Sequence, residues 1–148
     1  MFTAAQVSEA LAHRFPKDKT LQFIQSIPAY LKPLDEGLEI LRAVKALGYK
    51  TYILSNMAQE AYDAICKETD IFTEFDGAVF SYQVQAVKPD PDIYQKLLET
   101  YNLDAHECLF IDDLEVNINA GKALNIDGIV CKNHADVVQE LKTLKVLD

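Results

Sequence analysis

The chain has 148 residues, 49% of them hydrophobic, and carries 14 basic against 23 acidic side chains, for a formal net charge of −9. This length suits one domain, and the apolar content is typical of a folded protein and excludes a disordered one. The acidic balance argues against nucleic acids and membranes as partners, because binding to their phosphates requires clustered lysine and arginine. The three cysteines lie far apart and form no disulfide framework, so we expect a cytoplasmic protein.

The first part of the chain, residues 1–33, has a helical pattern only. Apolar residues recur at helical spacing over residues 5–15 and 19–30, and prolines at positions 16, 28 and 33 interrupt the pattern. We therefore separate this segment from the remainder, residues 34–148, where the pattern changes.

From residue 34 onwards, short apolar segments alternate with amphipathic helices. The predicted strands are residues 51–54, 78–80, 108–111 and 128–131, and the predicted helices are residues 34–47, 58–67, 91–101, 115–124 and 135–144. Gly48 is expected to end the first of these helices, and Asp90-Pro91 to begin the third. Strands separated by helices predict a three-layer, Rossmann-like α/β fold with a parallel sheet. Ligands of such sheets bind at the carboxyl ends of the strands.

Polar residues occur just after three of the predicted strands. Ser55-Asn56 follow the first strand, Lys88 lies in the loop after the second, and Asp112-Asp113 follow the third. Paired carboxylates suit Mg²⁺, whereas a hydroxyl and an ammonium suit phosphate oxygens. Each group alone also has a structural explanation, because Ser-Asn forms turns, a lysine before proline is commonly solvated, and aspartates cap helices.

The order and context of these motifs resemble the haloacid dehalogenase (HAD) superfamily. The resemblance covers roughly residues 33–145 and rests on the following segments: Ile53-Leu54-Ser55-Asn56, Val87-Lys88-Pro89-Asp90-Pro91-Asp92-Ile93-Tyr94, Leu109-Phe110-Ile111-Asp112-Asp113 and Asn117. It is greatest for the branch of small phosphatases and dehalogenases with a helical cap. Residues 1–33 then resemble a remnant of that cap, and residues 34–148 the HAD-like core. Gln85 departs from the pattern, since the family often has glycine there.

The resemblance implies roles for these residues. Ser55 matches the phosphate-binding hydroxyl, and Asn56, which follows it in the same loop, is counted with Ser55 and Lys88 as phosphate-binding. Lys88 matches the lysine that stabilises the phosphate and the phospho-enzyme. Asp112 and Asp113 match the acidic pair that holds Mg²⁺, and Lys88 and Asp112 are the two residues counted as catalytic. Asn117 is expected to order the loop rather than to contact substrate.

One element of the family pattern is missing from this sequence. The family's nucleophile is the first aspartate of an Asp-x-Asp motif that ends its first strand. Residues 1–33 contain only Asp18, with no strand before it, and Asp90-Pro91-Asp92 opens a helix after the motif lysine. In the family that strand lies between the strands ending in Ser55 and Asp112. Its absence predicts either unpaired backbone groups on those strands or direct pairing between them.

The resemblance leads to two hypotheses about function. The first is a HAD-like hydrolase, a Mg²⁺-dependent phosphatase of a small phosphorylated metabolite, that is incomplete and inactive as this chain alone. The alternative is a non-catalytic HAD-like binding or regulatory protein. A dehalogenase shares the fold, but the Asp112-Asp113 pair favours the metal-dependent reaction. The order of Ser55, Lys88 and the acidic pair excludes a response-regulator receiver. Strand exchange into the vacant position predicts a homodimer.

Overall fold

The computed structural model describes residues 8–9, 12–26 and 32–148, and for residues 23–25 it describes the backbone only. Its helices are α1 (Lys17–Ser26), α2 (Asp35–Ala46), α3 (Gln59–Glu68), α4 (Ser81–Val84), α5 (Pro91–Tyr101), α6 (Glu115–Lys122) and α7 (His134–Thr143). Its strands are β1 (Tyr52–Ser55), β2 (Gly77–Phe80), β3 (Leu109–Asp112) and β4 (Asp127–Val130), and 3-10 turns cover Ile71–Glu74 and Ala105–Glu107. From residue 34 onwards, every predicted helix and strand is confirmed, with bounds that differ by one or two residues.

The N-terminal segment departs from the sequence prediction. The helix predicted over residues 5–15 lies partly outside the described residues; residues 8–9 are helical, as predicted, whereas residues 12–15 form turns. Pro16 explains this end, because the residue before a proline is disfavoured in the helical region. The helix predicted over 19–30 begins earlier, at Lys17, and its last predicted residues lie outside the described part. The division into 1–33 and 34–148 stays a prediction.

Two helix ends follow directly from the local sequence. The Asp90 carboxylate caps α5 by accepting a hydrogen bond from the backbone N–H of Asp92, and Pro91 occupies the first helical position. Gly48 follows α2 with a φ of +90°, a conformation that side chains rarely adopt. Both predicted ends are confirmed.

Gln85 shows why a glycine would suit its position. It ends α4 in the left-handed conformation, with φ 57° and ψ 26°. A side chain at such a φ costs on the order of 1 kcal/mol relative to glycine. The unfavourable backbone conformation of Gln85 lies in the segment that connects β2 to Lys88.

The strands form two separate parallel pairs, β1 with β2 and β3 with β4. Helix α5 covers one face of the strands, where Ile93 and Tyr94 pack with Leu54 of β1 and with β2 and β3 residues. The other face of β3 and β4 is covered by α7 and α2, in a cluster centred on Ile129, Val137 and Leu141. This is the predicted three-layer α/β arrangement. Of the two outcomes expected for β1 and β3, direct pairing does not occur.

None of the helices in the described part of the chain combines the length and apolar character needed to cross a bilayer.

Candidate functional site

Lys88 connects the carboxyl ends of β1 and β3. Its Nζ donates to the backbone carbonyl of Leu54 at 2.8 Å and to Oδ2 of Asp112 at 2.6 Å. The ammonium also lies 5.4 Å from the centre of the Phe110 ring, and the Lys88 side chain is only 10% exposed. An ammonium has three N–H donors, so one remains for a ligand oxygen.

The Asp112 carboxylate is held by donors on every side. Oδ1 accepts from the backbone N–H of Leu114 at 2.9 Å and from Nδ2 of Asn117 at 2.8 Å, while Oδ2 accepts from Lys88. Burial alone raises the pKa of Asp112, but the hydrogen bonds from Lys88, Leu114 and Asn117 outweigh it and hold the pKa below its usual value. Asp112 is therefore charged at neutral pH and has a fixed orientation.

Two buried residues, Asn117 of α6 and Tyr94 of α5, are connected to Asp112 by hydrogen bonds. The Tyr94 hydroxyl donates to the backbone carbonyl of Asn117 at 2.9 Å, and Tyr94 is fully buried. Burial, with a smaller contribution from the Asp112 charge, raises the pKa of Tyr94 to about 12. The tyrosine thus stays protonated and keeps its hydrogen bond. Asn117 orders the loop, as its position in the sequence predicted.

Asn56 holds the backbone of Lys88 from the other side. Its Oδ1 accepts from the Lys88 backbone N–H at 2.7 Å, and its Nδ2 donates to the Lys88 carbonyl at 2.9 Å. This two-point contact fixes the lysine loop to the loop after β1. The sequence motif predicts that Asn56 binds the phosphate. That role stays a prediction, and the positioning of Lys88 is an additional one that the motif did not reveal.

Ser55 and Asp113 lie at the ends of β1 and β3, next to the residues described above. Ser55 follows Leu54, whose carbonyl binds Lys88, and the Ser55 hydroxyl makes no hydrogen bond to the described residues. Asp113 is exposed, and its carboxylate makes no hydrogen bond or ion pair within the described part of the chain. Both side chains thus retain their full capacity to bind a ligand.

The Asp112-Asp113 pair suits a Mg²⁺ ion whose remaining ligands are phosphate and water oxygens. Among the residues the structure describes, no three His, Cys, Asp or Glu side chains form a cluster that could hold a metal ion. Mg²⁺ is commonly bound by one or two carboxylates, with substrate phosphate and water completing its oxygen ligands. Asp112 and Asp113 fit that pattern. They could hold the ion together with a phosphate, and the neighbouring Lys88 could neutralise the remaining phosphate charge.

Two contacts at this site could not be read from the sequence motifs. The Leu54 carbonyl is a backbone acceptor in an apolar strand, and Phe110 resembles any other core aromatic residue. Both become recognisable only when β1 and β3 are placed side by side. The sequence offered one indication of these contacts: side chains alternate between the two faces of a strand, so Phe110 and Asp112 lie on the same face of β3.

Comparisons with known proteins agree with this architecture. A family model of haloacid dehalogenase-like hydrolases matches residues 3–125. The chain is 30% identical over 102 residues to the D-ribitol-5-phosphate phosphatase of Bacteroides thetaiotaomicron, a match that covers 65% of this chain and 50% of the phosphatase. It is 29% identical over 109 residues to the bifunctional epoxide hydrolase 2 of Mus musculus, covering 71% of this chain. The chain spans only 20% of that hydrolase.

Solved structures show the same fold. A wild-type HAD family enzyme from Bacteroides thetaiotaomicron, crystallised with magnesium and inorganic phosphate, superposes with a TM-score of 0.69 at 22% identity. The match covers 92% of this chain and 74% of that enzyme. With the family model matching most of its length, the chain belongs to the haloacid dehalogenase-like hydrolase family.

Proposed function

We propose that this chain carries the phosphate- and Mg²⁺-binding part of a phosphatase site for a small phosphorylated metabolite. The observation that carries the proposal is the position of the Lys88 ammonium between the Leu54 carbonyl and the Asp112 carboxylate. This contact brings a cation and a carboxylate together at the carboxyl ends of β1 and β3, where Ser55 and Asp113 are the adjoining residues in the sequence. The magnesium and phosphate in the related crystal structure support the same ligands here.

Each residue has a stated task in this proposal. The remaining N–H of Lys88 and the hydroxyl of Ser55 donate hydrogen bonds to phosphate oxygens. Asp112 and Asp113 hold Mg²⁺, which when bound supplies further neutralisation of phosphate charge. Asn56 and Asn117 keep Lys88 and Asp112 in position.

The residues assigned to phosphate and Mg²⁺ do not supply the nucleophile that the covalent step of phosphate-ester hydrolysis requires. Asp112 is bound by Lys88 and is assigned to Mg²⁺, so it is not counted as the nucleophile. The exposed Asp113 is assigned to the metal. We therefore infer that the 148-residue chain binds phosphate but does not turn over phosphate esters by itself.

Calorimetric titration with inorganic phosphate, with and without Mg²⁺, tests the binding. We expect phosphate to bind in Mg²⁺ and to bind roughly tenfold more weakly to Lys88→Met, since a charge-assisted hydrogen bond is lost. Lys96→Met is the matched control, because Lys96 is an exposed lysine on α5 to which no ligand-binding role is assigned. Equal affinity of the two variants would refute the assigned role of Lys88.

An assay with an aryl phosphate and Mg²⁺ tests whether the chain hydrolyses phosphate esters. We expect no hydrolysis above the blank. Hydrolysis that is lost in Lys88→Met would show that the chain contains a nucleophile outside the assigned residues. Absence of both hydrolysis and phosphate binding would favour the alternative, a HAD-like protein that binds a partner through another surface.

A further inference from the structure

The Phe110 ring is an aromatic partner of the Lys88 ammonium. Nζ of Lys88 lies over this ring, 5.4 Å from its centre, in addition to its hydrogen bonds with the Leu54 carbonyl and the Asp112 carboxylate. A cation within about 6 Å of an aromatic centre is attracted to the negative face of the ring, and more strongly where water is excluded. The Lys88 side chain is almost fully buried, so this contact is largely shielded from solvent.

Two helices confine the Phe110 ring. Tyr94 of α5 meets it edge to face, with ring centres 5.6 Å apart and ring planes at 89°. Gly121 of α6 lies close to both rings, since a Cβ there would be 3.5 Å from Cδ1 of Phe110 and 3.7 Å from Cε1 of Tyr94. The Tyr94 hydroxyl is in turn bound to the carbonyl of Asn117. The ring is therefore held by packing that does not involve Lys88.

The Asp112 carboxylate has little remaining capacity to accept further bonds. A carboxylate has about four acceptor positions, and here Oδ1 accepts from Leu114 and Asn117, while Oδ2 accepts from Lys88. A Mg²⁺ ion held by Asp112, directly or through a water, therefore meets the same oxygen that binds Lys88. Because two cations beside one carboxylate repel each other, the attraction of Asp112 for the ammonium weakens when the metal binds.

We propose that Phe110 is a positioning residue that keeps the Lys88 ammonium in place for phosphate while Asp112 is engaged by Mg²⁺, an inference that rests on the proposed function. Mg²⁺ takes oxygen ligands, so it does not compete for the ring face and leaves this contact intact. The Leu54 carbonyl is the second contact that remains. The metal-free chain depends less on Phe110, because the full charge of Asp112 then holds Lys88.

Proton exchange between the Lys88 ammonium and water, measured by NMR, reports whether the ammonium stays in place. We expect slow exchange in the unaltered chain with and without Mg²⁺. Phe110→Leu keeps an apolar side chain but has no ring. Its Lys88 exchange should change little without Mg²⁺ and become roughly tenfold faster with it. Unchanged exchange in both conditions, or the same acceleration in both, would contradict the proposal.

Fluorination of the ring separates its electrostatics from its packing. Trifluorophenylalanine at position 110 nearly retains the shape of the ring but weakens its negative face. We expect Mg²⁺-dependent acceleration of the Lys88 exchange, smaller than in Phe110→Leu, and roughly threefold weaker phosphate binding in Mg²⁺. A side chain that only fills space would give the same exchange and the same affinity with either ring, and that result would overturn the proposal.

Phe72→Leu is the matched control for lost packing. Phe72, in the 3-10 turn, is half-buried like Phe110, but its ring stacks on Tyr62 with centres 5.1 Å apart. Both leucine variants should be less stable than the unaltered chain, and only Phe110→Leu should accelerate the Lys88 exchange in Mg²⁺. Equal acceleration in the two variants would indicate general loosening of the fold and would refute the role of Phe110.

The same samples distinguish failure of this inference from failure of the proposed function. If the unaltered chain binds phosphate and fluorination changes neither exchange nor affinity, the inference alone fails. If the unaltered chain binds Mg²⁺ but no phosphate, the proposed function fails, and the Lys88 exchange still decides whether Phe110 holds the ammonium. If Mg²⁺ shifts no NMR signal of Asp112 or Asp113, both fail.

Discussion

Replacing Lys88 by methionine should strongly destabilise the fold, because it leaves Asp112 buried without its cation. The two side chains are 10% and 6% exposed, and their charged atoms lie 2.6 Å apart. Breaking a buried ion pair by removing one partner costs about 3 kcal/mol or more, a large share of the ~5–15 kcal/mol that stabilises a typical domain. We expect a loss of about 3 kcal/mol in the free energy of unfolding, measured by urea denaturation at neutral pH.

The pH dependence of this loss identifies its cause. In the unaltered chain the pKa of Asp112 lies below its usual value, so its carboxylate stabilises the fold above about pH 4, and this contribution disappears as the pH falls through the lowered pKa. In Lys88→Met the unpaired, buried carboxyl has a raised pKa and becomes neutral at a higher pH. The stability difference between the two proteins should therefore shrink as the solution is acidified from neutrality.

The double variant Lys88→Met/Asp112→Asn completes the test. It removes both charges, while the amide oxygen introduced at position 112 can still accept the hydrogen bond from Leu114, so we expect it to be more stable than Lys88→Met alone. Lys96→Met, on the surface, should lie within about 0.5 kcal/mol of the parent. A Lys88→Met loss as small as that of Lys96→Met, or one that is independent of pH, would refute the reasoning.

Three further substitutions test individual contacts by the same denaturation experiment. Gln85→Gly should stabilise the fold by roughly 0.5–1 kcal/mol, because it relieves the left-handed backbone. Tyr94→Phe should cost about 1 kcal/mol, since it removes the buried hydrogen bond from the Tyr94 hydroxyl to the Asn117 carbonyl. Asn56→Ala should cost about 1 kcal/mol and also weaken phosphate binding, because the backbone of Lys88 loses both of its contacts with the side chain.

Each of these has a control in the same chain. Gln95→Gly, inside α5, should destabilise the fold by about 1 kcal/mol. Tyr49→Phe and Asn119→Ala alter exposed residues and should change stability by less than about 0.5 kcal/mol. Destabilisation by Gln85→Gly, or no difference between a test variant and its control, would contradict the contact concerned.

The sequence predicted the elements well wherever local chemistry determines them. Asp90-Pro91 begins a helix because a carboxylate caps it and proline fits its first turn, and Gly48 ends one because its φ is positive. The apolar runs identified all four strands, since strands covered by helices need apolar side chains on both faces. The N-terminal helix over residues 5–15 was predicted from periodicity alone; residues 8–9 are helical, but the described residues 12–15 are turns before Pro16.

The site was less predictable, because its contacts join residues far apart in the chain. Asn56 and Lys88 are 32 positions apart, and nothing local to either indicates that the amide of one brackets the backbone of the other. The sequence motifs predicted that β1 and β3 would either keep unpaired backbone groups or pair directly with each other. Whether the two strands would separate or pair directly depended on tertiary packing, which the sequence pattern does not contain.

The central claim is that the loops after β1, β2 and β3 form one phosphate site, and an NMR titration tests it most directly. Inorganic phosphate is added in the presence of Mg²⁺, and the backbone amide shifts of the whole chain are followed. We predict saturable shifts that concentrate at Ser55, Asn56, Lys88 and Asp113 and that share one affinity. Shifts at only one of these loops, or at residues remote from all three, would contradict the account.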